Sequence, residues 1–324
     1  CNEVGLALRP HIKTHKSINF AKAQMAAGAI GITCQKISEA EAMINSGIND
    51  ILITFNIIGT EKLGRLRALS SRLAALSVVA DNAEVIQGLG QAFEAAPLPL
   101  TILVECDTGA GRCGVQTPKA ALELAEKISH ISGLIFGGLM TYPAANGSKD
   151  AAQFMRDTKQ LLGAKGIVCP VVSSGGSPDM WNATTAGIIT EYRIGTYIYN
   201  DRSLVQRGTC TWGECAGHVL ATVVSIPTPD RAIIDAGSKV LTSDLLGFSD
   251  YGHVVGKPEI KIVGLSEEHG VLAVTPERQL VIGERIRIVP NHVCVVSNMF
   301  DDIWIEDENG SLAELQIDAR GCVI

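Results

Sequence analysis

The sequence lacks any excess of positive charge: 27 lysines and arginines stand against 34 aspartates and glutamates, a formal charge of −7. An acidic chain of this kind offers no global attraction to nucleic acid or to an anionic membrane. It lacks an apolar run approaching the length of a membrane span, and no secretory leader pattern opens it. No internal repeat or low-complexity tract interrupts it, which excludes solenoids and repeat arrays. Nine cysteines at scattered spacings, an odd number in 324 residues, argue against a disulfide framework and for a reducing, cytoplasmic setting. The Gly-x-Gly-x-x-Gly turn of a dinucleotide-binding sheet is missing after the first apolar run. The text starts at Cys1 and enters an apolar run almost at once, so further N-terminal residues are expected to precede it.

What is present is alternation. From residue 4 to about 200, short β-rich apolar runs bounded by Gly, Asn, Asp or Pro alternate with Ala/Leu/Glu/Lys-rich segments of helical spacing. Strands are expected at 5–10, 30–35, 50–55, 76–80, 100–105, 135–140, 169–173 and 190–194, with helices at 17–27, 38–46, 60–74, 82–95, 117–131 and 150–163. Ser38, with Glu41 three residues on, reads as a helix cap. The class is therefore α/β, and eight strand–helix units predict a (β/α)8 TIM barrel. From about residue 215 the helices stop. Runs at 219–226, 232–235, 260–265, 271–274, 286–289, 293–296 and 303–305 predict a separate C-terminal β domain. The expected division is a barrel over 1–203 and a β domain over 204–324.

In such a barrel, chemistry sits where strands end and loops begin, and the polar residues fall there. Arg9, Pro10, His11, Ile12, Lys13, Thr14, His15 and Lys16 follow the first strand. Five cationic or basic side chains in eight residues are expected to repel one another and to lower an amine pKa, as an amine nucleophile requires. A solvated basic turn is the plainer alternative. Gln35, Asn56, Asp107 and Arg112 follow later strands, Arg112 within a Gly-rich exit loop, and Tyr142 follows the sixth. Ser173, Ser174, Gly175, Gly176 and Ser177 close the seventh, and Arg193, Ile194, Gly195 and Thr196 the eighth. Paired Gly-rich loops on the last two strands suit a phosphate, since backbone N–H groups there can approach an anion.

In the β domain, Pro290, Asn291, His292, Val293 and Cys294 present His-x-Cys. On a strand the period of two places both side chains on one face, where imidazole and thiolate suit Zn²⁺ or a similar divalent ion. Residues 266–270, with Glu267, Glu268 and His269, are a second polar knot that suits a ligand, a base or a turn.

Taken in order, these motifs resemble the D-threonine aldolase and D-serine dehydratase family, which has the alanine racemase-like fold (type III). They are Arg-Pro-His-x-Lys-Thr-His-Lys, Asp-Thr-Gly-x-Gly-Arg-Cys-Gly, Gly-Gly-Ser-Pro, Arg-x-Gly-Thr-Tyr, Glu-Glu-His-Gly and Pro-Asn-His-x-Cys. The resemblance implies pyridoxal 5′-phosphate (PLP) bound in the barrel and a divalent metal (Mn, Zn, Mg or Co) held by the β domain. It implies that Lys13 is the Schiff-base lysine and that Gly175, Gly176, Ser177, Gly195 and Thr196 cradle the phosphate. Arg112 and Tyr142 would lie near the cofactor, Arg193 would face its pyridine nitrogen, and His292 and Cys294 would ligate the metal, with Lys13 and His292 catalytic. It also implies a homodimer and a missing strand and helix before Cys1.

The implied reaction is a lyase reaction on a small β-hydroxy-D-amino acid. D-Threonine aldol cleavage, a carbon–carbon lyase step, is favoured by the text from Glu191 to Asp201. His-x-Cys, which the zinc dehydratases carry where some aldolases have His-x-Asp, and Pro143, where several aldolases have a histidine after Tyr142, depart from the aldolase pattern and keep a D-serine or 3-hydroxy-D-aspartate dehydratase, a carbon–oxygen lyase, as the alternative. A non-catalytic PLP-binding protein is the reading of another class.

Overall fold

A computed structural model describes residues 1–184, 187–275 and 280–324. It divides into two compact units, Cys1–Gly195 with Cys322–Ile324, and Thr196–Gly321.

The first unit is a (β/α)8 barrel. Its strands are β1 (Ala7–Leu8), β2 (Ile32–Cys34), β3 (Asp50–Ile53), β4 (Ala75–Ala80), β5 (Leu100–Cys106), β6 (Leu134–Thr141), β7 (Val171–Gly175) and β8 (Glu191–Arg193). All pair in parallel, in the order β1-β8-β7-β6-β5-β4-β3-β2. Past β1 the chain closes the circle. Arg9 and His11 donate backbone N–H groups to Tyr192 and Ile194 on one side, and on the other Ile12 donates to Thr33 and Thr33 to Pro10. Between the strands run α1 (Ile18–Ala26), α2 (Ile37–Met43), α3 (Thr60–Ser70), α4 (Ala83–Phe93), α5 (Pro118–His130) and α6 (Ser148–Ala164). Local chemistry starts two of them well: Asn82 accepts from Val85 N–H, and Thr117 accepts from Ala120 N–H ahead of Pro118.

The Ser38–Glu41 cap does not form. Helix α2 starts one residue earlier, with Lys36 at its N-cap; Ser38 instead hydrogen-bonds Ile324, and Glu41 pairs with Arg65. Inside the barrel Leu52, Val79, Leu103 and Met140 form an apolar layer. At Gly138 (φ +132°) a Cβ would stand 2.0 Å from the Val171 carbonyl, so only glycine lets β6 approach β7 after the register shift opposite Ile102 and Leu103.

In the second unit, α7 (Arg202–Gln206) precedes an antiparallel sheet of β9 (Val219–Thr228), β10 (Arg231–Ile234), β11 (His253–Val254), β12 (Lys261–Leu265), β13 (Gly270–Ala273) and β14 (Arg285–Val289). Its order is β11-β14-β9-β10-β13-β12, wrapped around a core that includes Val223, Ile234, Ile262, Leu272 and Ile288. Helix α8 (Ser238–Leu241) follows β10, α9 (Val293–Ser297) follows β14, and β15 (Asp302–Glu306) pairs with β16 (Leu312–Gln316).

The strand expected at 293–296 is helix α9. Its valines carry β propensity, but tertiary hydrogen bonding overrides it, because the buried Asp201 carboxylate accepts from Val293 N–H at 3.1 Å. Among the described residues no helix is long and apolar enough to cross a membrane.

Candidate active site

Lys13 sits in a tight turn at the β1 exit, and the turn is fixed by backbone bonds from His15 and Lys16 N–H to the Ile12 carbonyl. The mutual repulsion expected here shows at His11, whose imidazolium the Lys13 charge disfavours, while Arg9 and Lys16 are ion-paired. His11 and His15 are buried imidazoles. His11 Nδ1 accepts from Lys13 N–H at 3.4 Å, which leaves Nε2–H to donate to Gln35 Oε1 at 3.1 Å. His15 repeats the pattern with Ser17 N–H and Gln24 Oε1. Burial holds the His11 pKa well below the usual imidazole range, aided by the charges of Lys13 and Arg193, and pulls His15 down to about 4. Arg9 pairs with Asp50 and Glu191 at 2.6 and 2.8 Å, and Lys16 with Glu39 at 2.9 Å.

A pH dependence follows from His15. In the unfolded chain it takes up a proton near pH 6.5, whereas in the fold it resists down to about 4. Its neutral form is therefore favoured by folding, and that stability is present above pH 6.5 and lost as pH falls from there through 4. The loss is on the order of 3 kcal/mol, from roughly 1.4 kcal/mol per pH unit. Urea midpoints at pH 7 and pH 4.5 measure it. A His15→Asn variant should show the shallower slope, and a slope equal to that of the parent chain would refute the assignment.

The loop carrying Arg112 is braced rather than loose. Asp107 accepts from Gly109 and Gly111 N–H, and Asp81 accepts from Gly114 N–H at 2.9 Å. The Arg112 guanidinium lies 4.9 Å from the Tyr142 ring centroid, a cation–π stack at the β6 exit. Tyr142 in turn flanks Gly176 (φ +114°), where a Cβ would come to 3.4 Å from its ring. Gly176 N–H is spent on the Arg193 carbonyl at 3.0 Å, and its own carbonyl accepts from Tyr192 Oη–H at 3.0 Å. Gly176 therefore shapes the loop, and the buried Ser177 follows it at the start of a 3₁₀ turn. Side chains at Gly175 and Gly195 would meet the Arg193 carbonyl at 2.4 Å and Thr14 Oγ1 at 2.7 Å. Arg193 is buried and donates from Nη2 to the Thr141 carbonyl at 2.6 Å and from Nε to Ser173 Oγ at 2.8 Å.

Two buried carboxylates escaped the sequence reading. Glu191 accepts from Arg9 and Ser173, and Glu105 rises to about 7 through burial, opposed by the charges of Arg112 and Arg193. An acid at the buried end of a mainly apolar strand, as Glu105 is in Leu100–Cys106, is the signal that marks such a residue.

These residues fit PLP. A lysine amine, a buried guanidinium and loops whose glycines exclude side chains gather at the exits of β1, β6, β7 and β8, where a phosphorylated ring is commonly held.

In the second unit His292 is the N-cap residue of α9, so it meets Cys294 across a helix start and not along a strand. The two side chains are hydrogen-bonded to each other, and His292 Nδ1 lies 2.6 Å from Asp244 Oδ2. Burial works against the imidazolium, but the hydrogen bond and electrostatic interaction with Cys294, together with Asp244 and Asp201, outweigh it and lift the His292 pKa to about 9. Thr196 Oγ1 stands 3.4 Å from Cys294 Sγ. Asn291 is locked by Gly252 N–H, Arg202 and the Asp250 carbonyl. Residues 266–270 form the β12–β13 turn, with Glu267 and Glu268 on Lys239.

Among the described residues no group of three or more His, Cys, Asp or Glu side chains forms a metal cage. Imidazole and thiol in contact, with the imidazole braced by a carboxylate, nevertheless match two ligands of a zinc-like ion. Asp244 had no signal in the sequence, standing 48 residues from its partner.

Comparison with known proteins places the matches on both units. Residues 3–203 match the family model "Alanine racemase, N-terminal domain", and residues 216–305 match "Putative serine dehydratase domain". The D-threonine aldolase of an Arthrobacter species is 35% identical, over 98% of this chain and 86% of its own length. The crystal structure of D-threonine aldolase from Filomicrobium marinum superposes with TM-score 0.91 at 31% identity, covering 100% of this chain and 91% of that one. A D-threo-3-hydroxyaspartate dehydratase, solved as a cysteine-to-alanine variant in the metal-free form, gives 0.86 at 28% identity, covering 97% and 91%.

Proposed function

We propose a lyase function for this chain, which belongs to the D-threonine aldolase and D-serine dehydratase family with the alanine racemase-like fold. The reading is a PLP- and divalent-metal-dependent lyase of β-hydroxy-D-amino acids whose main reaction cleaves D-threonine to glycine and an aldehyde. The 35% identity to a D-threonine aldolase across nearly the whole chain carries it. When bound, PLP supplies an electron sink at the amino carbon, and the metal a Lewis acid for the substrate hydroxyl. Lys13 would hold the cofactor, Arg193 would present a fixed cation to its ring, and Arg112 stacked on Tyr142 would border it. His292 and Cys294 would hold the metal, with Asp244 fixing the imidazole.

A second reading, dehydration of D-serine or 3-hydroxy-D-aspartate, is favoured by the His-x-Cys pair. A related D-threo-3-hydroxyaspartate dehydratase is known as a cysteine-to-alanine variant in a metal-free form. The two differ in the substrate bond that breaks, carbon–carbon in the first and carbon–oxygen in the second. Incubation of the chain with D-threonine and with D-serine, PLP and Mn²⁺ or Zn²⁺ separates them. Glycine with acetaldehyde is the expected product pair; a 2-oxo acid with ammonia would shift the assignment to the dehydratase, and neither would leave a PLP carrier without catalysis.

A further inference from the structure

Four polar side chains cross the barrel interior where strands of this architecture normally pack Val, Ile and Leu. Arg193 and Glu191 share one face of β8, and Ser173 of β7 stands in register with Glu191. Hydrogen positions in this row are fixed by chemistry. An arginine only donates and an ionised carboxylate only accepts. Arg193 Nε–H therefore donates to Ser173 Oγ at 2.8 Å, and the single serine hydrogen must point to Glu191 Oε1 at 2.6 Å. Arg9 Nε–H donates to Glu191 Oε2 at 2.8 Å, and its two terminal nitrogens donate to Asp50 at 2.6 and 3.2 Å. At Gly31 a Cβ would lie 2.4 Å from Arg9 Nη1, so the backbone there gives way to this row.

The arrangement is not what stability alone asks of a buried arginine. Glu191 lies two residues from Arg193 on the same strand face, yet its carboxylate is taken by Arg9. Among the described residues Arg193 makes no direct ion pair. One neutral hydroxyl stands between the cation and the Glu191 carboxylate, and Glu105 acts on it only through space, so the guanidinium keeps electrostatic reach towards a ligand. Nε and Nη2 are committed to Ser173 and Thr141, and Nη1 is the nitrogen left to address one.

We propose that Ser173, backed by Glu191 and Arg9, is a positioning residue that sets the orientation and residual charge of Arg193 towards the cofactor ring. This rests on the assignment of PLP to the barrel. The serine has two jobs that alanine cannot do: it accepts Nε–H, which fixes the guanidinium plane, and it passes the Glu191 charge through one hydrogen bond instead of a contact pair. Loss of a charge-assisted hydrogen bond of this kind changes an equilibrium by about tenfold or more.

Apo-protein is reconstituted with PLP for the parent chain, Ser173→Ala, Ser173→Thr and Glu191→Gln. PLP affinity, the pH titration of the visible band of lysine-bound cofactor, and the melting temperature of the apo-protein are recorded. Ser173→Ala is expected to bind PLP about tenfold more weakly and to shift the band's titration, Ser173→Thr to restore both, and Glu191→Gln to move the titration the same way. A Ser173→Ala protein with parental affinity and titration overturns the proposal, whatever its melting temperature, because a merely structural serine would alter only the latter. If the parent chain itself gives no visible band dependent on Lys13, the cofactor assignment falls, and the proposal with it.

Discussion

Lys13→Ala is expected to remove the visible absorbance of lysine-bound PLP and to abolish turnover, while the protein stays folded. The structure gives a reason for both halves. The turn that carries Lys13 is tied by backbone bonds of Ile12, His15 and Lys16, which the substitution leaves in place. Every other basic member of the cluster is spoken for: Arg9 by Asp50 and Glu191, Lys16 by Glu39, and both histidines by neutral hydrogen bonds to glutamines. No neighbour is placed to take over as the amine. The rate should fall by at least the ~10²–10⁴-fold that removal of one positioned acid–base group produces, and further because the covalent anchor goes too. Absorbance spectra and a glycine assay check this together. An Ala variant with the parental band and rate would mean that another lysine holds the cofactor, and the reading of the β1 exit would be wrong.

The barrel was legible because its signal repeats. Each strand is a short apolar run closed by a polar exit, and eight in succession leave one architecture. Position could be read in the same way: Lys13, Arg112, Tyr142, Ser177 and Arg193 all stand at strand exits or just beyond. Partnership could not. The row of charges behind Lys13 reads as repulsion, and only the fold shows Asp50, Glu191 and Glu39 arriving from distant segments to neutralise it. The valines after His292 read as a strand because propensity is local, whereas the Asp201 bond that turns them into a helix spans 92 positions. Asp244 is invisible for the same reason, as is the Ser173–Glu191 link, which depends on the register of two parallel strands.

On the proposed reading, Cys294→Ala is expected to abolish divalent-metal binding and metal-dependent turnover while leaving PLP bound. The thiol is one of two side chains of metal-binding type in contact at this place, so a single substitution leaves a lone imidazole, and one imidazole does not hold a structural or catalytic ion against buffer. PLP should remain, since the lysine, the buried arginine and the glycine loops all belong to the first unit. Asp244→Ala should have a smaller effect of the same kind. It leaves His292 and Cys294 in place but removes the carboxylate 2.6 Å from His292 Nδ1 that would fix which ring nitrogen addresses an ion. Losses of such partners weaken metal affinity by about 10–100-fold. Metal content after dialysis against EDTA, measured beside PLP absorbance for the parent and both variants, orders the three. A Cys294→Ala protein that keeps its metal, or a parent chain whose turnover survives EDTA unchanged, would detach the His292–Cys294 pair from the reaction and leave it as packing at the start of a short helix.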